Sequence, residues 1–140
     1  MEGRPVVLVV AGRKRPHELL LFAYGVFLGV VTLTRPGEGS LSHTLPRWVV
    51  VGWAAGMIVS GLVGLTAPWL RPIGRALLVE FGALLIGAGA LLIYAFAVLT
   101  VIPGFQGILS GVLLCAWVAA NGWRAIQITV DLRATSRAGE

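Results

Sequence analysis

Four long apolar stretches, separated by short polar or proline-marked breaks, dominate the chain. They predict helices over 16–34, 46–67, 73–101 and 104–130. Pro16 suits a first helical residue, and Glu18 falls in the first turn, where the helix dipole favours negative charge. Thr44 before Pro46 reads as a cap for the second helix, which ends before Pro68. Ile102-Pro103-Gly104 is a charge-free turn between the third and fourth. The first helix has about 28 Å of length at about 1.5 Å per residue, close to the hydrocarbon thickness of a bilayer.

Polar residues inside these stretches are few and aligned. Ala76, Glu80, Ala83, Gly87, Ala90, Tyr94 and Ala97 recur at alternating spacings of four and three, as do Ser110, Leu114, Trp117, Asn121, Arg124 and Ile128. Each set falls on one helix face. Small residues repeat at the same spacing in Gly25/Gly29, Gly52/Gly56, Ser60/Gly64, Ala83/Gly87 and Gly107/Gly111, which nominates them as helix-packing positions. The third and fourth helices are expected to pair antiparallel about Pro103. Glu80 then lies level with Gln127, and Arg124 sits one turn deeper. The backward tilt of helical side chains works against their meeting, but arginine is long enough to close about 4.5 Å. Glu80, Asn121, Arg124 and Gln127 therefore form the candidate intramembrane polar network, with Glu80–Arg124 as its ion pair and Asn121 or Gln127 as substitute partners.

Composition narrows the class. The chain has 140 residues, enough for one domain, and 57% are hydrophobic against 12% charged. A water-soluble fold of that composition could not cover its surface, so the expected fold is an all-α membrane protein, a four-transmembrane-helix antiparallel bundle over 16–130. A basic arm (1–15) precedes it and a polar tail (131–140) follows. The apolar run before Arg13-Lys14-Arg15 has its charges on the wrong side for a cleaved leader.

The net charge of +5 does not mark a nucleic-acid surface, because the basic residues sit between apolar runs. Nine of them (Arg4, Arg13, Lys14, Arg15, Arg71, Arg75, Arg124, Arg133, Arg137) fall in the two ends and the second link. Only Arg35 and Arg47 flank the first loop. That asymmetry predicts that both termini and the second link are cytoplasmic, and the scarcity of lysine with abundant Ala, Gly and Val points to a bacterial inner membrane. Trp48 and Trp69 at the two ends of the second helix fit an interfacial belt. Cys115 is expected as a small buried hydrophobe, and Glu18 as a capping residue at the membrane surface. No catalytic, metal or cofactor constellation is present, so an enzyme is not expected.

Several features together resemble the small four-helix membrane proteins of actinobacterial phages and prophages, a holin-like group. They are the lead-in Arg13-Lys14-Arg15-Pro16, the loop closing on Leu45-Pro46-Arg47-Trp48, Glu80 near the start of the third span, and the closing segment from Trp123-Arg124 through Gln127 to Arg133. The resemblance covers most of the chain. It implies a homo-oligomer in the bilayer that forms a pore or assists lysis, without a cofactor. Two other classes fit the residues: a non-catalytic exclusion or defence protein acting with a protein partner, and a small proton-coupled transporter. The transporter ranks last because Glu18 stands at the edge of its helix and the buried acid lies in the third.

Overall fold

A computed structural model describes residues 16–35 and 45–138. The basic arm 1–15, the loop 36–44 with the Thr44 cap, and residues 139–140 lie outside the described residues. The described chain is all-helical: α1 (Pro16–Thr34), α2 (Arg47–Thr66), α3 (Ile73–Val101) and α4 (Phe105–Ala138), with a short 3-10 turn at Ala67–Trp69 after α2. Three segments, Arg47–Trp69, Ile73–Val101 and Phe105–Arg133, are long and apolar enough to cross a bilayer. The apolar part of α1, Glu18–Thr34, is shorter.

Neighbouring helices run antiparallel, as their small-residue contacts record. A side chain at Gly29 would meet the Ala54 carbonyl, while one at Gly61 would meet the Phe22 carbonyl, so α1 and α2 approach backbone to backbone. Gly56 lies against Ala90, and Gly87 against Ser60, whose Oγ donates to the Ala83 carbonyl at 2.7 Å. Further along the α2–α3 interface the rings of Trp53 and Tyr94 stack with centroids 4.5 Å apart. Between α3 and α4, Gly111 faces Leu99. The turn between them depends on Gly104, whose φ of +86° is a left-handed conformation that disfavours any Cβ. The Gly104 carbonyl accepts the Ile108 N–H, which opens α4.

The interior falls into two apolar groups. The larger, with Val49, Trp53, Met57, Leu91, Tyr94 and Val98, fills the bundle towards the start of α2 and the end of α3. The smaller, Leu77, Leu84 and Ile128 with Phe22, Phe81 and Leu132 against it, lies at the opposite end. The outward faces are also apolar, with Leu20, Phe27, Leu62, Leu92, Phe96 and Leu113 all exposed.

Four sequence expectations are corrected. Gly52 packs against no other described helix of this chain: it points outward, with nothing within 4 Å of where its Cβ would stand. Gly107 presses on the Ile102 carbonyl of its own turn, so it serves the α3–α4 corner and not a distant helix. Cys115 is exposed and is not a buried hydrophobe. The polar tail is not separate from the last helix: α4 continues through residues 131–138 to Ala138, since Asp131, Leu132, Arg133 and Ala134 break no helical rule.

Candidate functional site

α1 and α4 make no close backbone approach among the described residues; every close helix pair is sequential, α1 with α2, α2 with α3, and α3 with α4. The outer two helices are nevertheless connected, and only by side chains. Arg124 on α4 lies with its Nε 3.0 Å from Oε1 of Glu18 on α1. The Tyr24 and Trp117 rings, also from α1 and α4, stack with centroids 6.1 Å apart and planes 23° from parallel.

Arg124 also reaches α3. Its Nε donates to Oε1 of Glu80 at 2.8 Å, and its Nη2 lies 2.8 Å from the same oxygen. Arg124, Glu80 and Glu18 are largely shielded, with side-chain exposures of 13%, 14% and 20%. The Arg124 Nη1 is buried with no acceptor among the described residues. On α3, Leu77 and Leu84 flank Glu80 one turn to either side, and Ile128 lies one turn beyond Arg124, so charge is enclosed by apolar side chains. Ionised groups survive there only by pairing. The long arginine side chain overcomes the unfavourable backward tilt of the two side chains.

The three charged groups border a cavity of about 380 Å³ between all four helices. Its walls include Leu21, Phe22 and Gly25 from α1, and Met57, Ser60 and Gly61 from α2. α3 adds Leu84, Gly87 and Leu91. α4 contributes Trp117, Ala120, Asn121, Trp123 and Gln127. All four members of the predicted polar network thus line one space.

Glu18 is the residue that the sequence reading assigned elsewhere. It sits in the first turn of α1, as a capping acid would, but its carboxylate faces Arg124. Spacing carries no signal for that contact, which joins residues more than a hundred positions apart. The nominated small residues Gly25, Gly29, Gly56, Ser60, Gly64, Ala83, Gly87 and Gly111 lie at helix contacts within the chain.

No protein-family model, curated protein or solved structure matches this chain. Among the described residues, no group of three or more His, Cys, Asp or Glu could hold a metal ion. An acid–base–acid triad around one guanidinium can neutralise charge, hold two outer helices together, and bind a charged partner in the adjoining cavity.

Proposed function

We propose that this chain is a non-catalytic, polytopic protein of the bacterial inner membrane, holin-like, forming a pore or assisting lysis. In this reading all four helices span the bilayer and both termini are cytoplasmic. The apolar outward faces would lie among acyl chains, where water would otherwise have to cover them. α1 is then the shortest span, near the lower limit for crossing. Hydroxyls on the helices have internal acceptors, as where Thr100 donates to the Phe96 carbonyl and Thr129 to that of Ala125.

One observation supports this reading above the others: α1 is joined to α4 by side chains alone. Helices held by backbone-close packing give up polar groups only by breaking that packing. Separating α1 from α4 breaks side-chain contacts such as Glu18–Arg124 and Tyr24–Trp117, parts no backbone-close α1–α4 packing, and would uncover Glu80, Asn121 and Arg124. Between copies, those groups would then line water. The inward glycines are occupied within the chain, so copies would meet through outward small residues such as Gly52, Gly82 and Gly89, which have open space around them.

The test is to induce the gene alone in a bacterial host and follow membrane potential with a voltage-sensitive dye. The reading expects potential and growth to collapse after the protein accumulates. Full membrane-fraction accumulation with potential and growth unchanged would refute it.

A second reading, a small proton-coupled transporter, is favoured by Glu18. Although it stands in the first turn of α1, its carboxylate borders the same cavity as Glu80, so two acids face one space. Substrate-dependent proton uptake into vesicles, without dissipation of potential in cells, would select it.

A further inference from the structure

We infer that the cavity between the four helices is a binding site for an amphipathic organic cation. This goes beyond the pore reading, which needs no ligand. Three features on the walls point to that chemistry.

The first is shape. About 380 Å³ is within the range of sites that enclose small organic molecules. A bare ion would leave most of it unfilled.

The second is the division of its surface. Phe22, Met57, Leu84 and Leu91 give apolar lining, Glu18 and Glu80 gather around Arg124, and Asn121 adds an amide near Gly87. Trp117 and Trp123 lie on α4 along the same space and offer aromatic surface to a positive charge. A wholly polar molecule would waste the apolar lining, and a neutral apolar one would desolvate the carboxylates without compensation.

The third is sign. An anion entering here would be opposed by two carboxylates. The guanidinium that would attract it directs Nε and Nη2 to Glu80, and Nε to Glu18 as well, and although its buried Nη1 has no acceptor among the described residues, two carboxylates against one guanidinium leave the cluster negative. A cation meets attraction from both acids and competes with Arg124 for them. Occupancy therefore weakens the Glu18–Arg124 bridge between α1 and α4, which links the ligand to separation of those helices.

The experiment uses two ions of nearly equal shape and opposite charge, tetraphenylphosphonium and tetraphenylborate. Each is titrated into the purified full chain in a neutral detergent, with binding read from tryptophan fluorescence. Trp48 and Trp69, exposed at the helix ends, are replaced by Phe to lower the background. The inference expects saturable quenching by tetraphenylphosphonium and only linear partitioning by tetraphenylborate. Glu18→Gln and Glu80→Gln should each weaken the cation at least tenfold. Ala120→Phe fills the cavity from α4 without altering charge, and should weaken it similarly even if either Gln variant proves misfolded by circular dichroism. Linear partitioning of both ions, saturable binding of the borate alone, or cation affinity unchanged by Ala120→Phe or by a folded Gln variant would each overturn it. Because binding is read in detergent and pore formation in cells, failure of one leaves the other standing.

Discussion

Arg124 directs two nitrogens to a single oxygen of Glu80, each at 2.8 Å, while the same Nε also lies 3.0 Å from Glu18. The guanidinium is therefore the hub, and the carboxylates are unequal partners. Two Arg124 nitrogens lie 2.8 Å from Glu80, the closest approach to Glu18 is 3.0 Å, and Glu18 is the more exposed of the two.

That inequality predicts an order of stability. Arg124→Gln leaves two shielded carboxylates facing one another and should cost about 3–5 kcal/mol. Glu80→Gln should cost less, and Glu18→Gln least, about 1 kcal/mol. A Glu80→Gln/Arg124→Gln cycle should give a coupling of about 1–3 kcal/mol. Denaturant titration in detergent, followed by circular dichroism, measures all of these. An additive cycle, or a Glu18 variant as damaged as the Arg124 variant, would contradict the hub.

Glycines on opposite faces of α2 should respond oppositely. A methyl at Gly61 would stand 2.6 Å from the Phe22 carbonyl, so Gly61→Ala must push α1 away at a cost of about 1–3 kcal/mol. Gly52 has open space, and Gly52→Ala should stabilise the helix by about 0.5–1 kcal/mol. The same titration decides; equal effects would mean that α1 and α2 are not this close.

The native cysteine reports on the surroundings of α4. Cys115 is exposed on the bare protein, in the middle of an apolar helix face. In the proposed bilayer it lies among acyl chains. A membrane-impermeant maleimide should leave it unlabelled in sealed vesicles and label it fully once SDS is added. An Arg71→Cys variant in the link should label from the cytoplasmic side. Rapid labelling of Cys115 in intact vesicles would count against the bilayer placement of that face.

Association between copies is predicted to use outward glycines of α3. Gly82 and Gly89, one heptad apart, have no neighbour near their Cβ positions. Gly89→Leu should remove cross-linked oligomers from membranes while helicity and monomer stability remain within about 0.5 kcal/mol of, or above, those of the parent. Oligomers that persist at parental yield would assign the interface to another face.

Much of the framework could be read from the chain. Pro16, Pro46 and Pro103-Gly104 punctuate it, and the spacing of Ala83, Gly87 and Tyr94 marks the inward side of α3. Glu80 and Arg124 were nominated because two charges in apolar helices leave few other ways to be accommodated. What stayed hidden has a common cause. Where both sides of a helix are apolar, hydrophobic periodicity carries little contrast, so Gly52 and Cys115 could not be assigned to the outer face. Glu18 was hidden differently: its place in a first turn already satisfies a local rule, and its partner is on the helix farthest away in sequence. The continuation of α4 to Ala138 carries no hydropathy signal, because polar residues that end an apolar span continue a helix readily once outside an apolar layer.

The central claim is that α1 and α4 meet only through side chains and that their separation exposes the polar interior. Cysteines replacing Tyr24 and Trp117, in a Cys115→Ser background, can be joined by a short reducible bis-methanethiosulfonate linker. The backbones are too far apart there for a direct disulfide. Cells expressing this variant should keep their membrane potential while the linker is intact and lose it within minutes of reduction. Loss of potential with the linker in place, at full cross-linking yield, would show that the seam between α1 and α4 is not what opens.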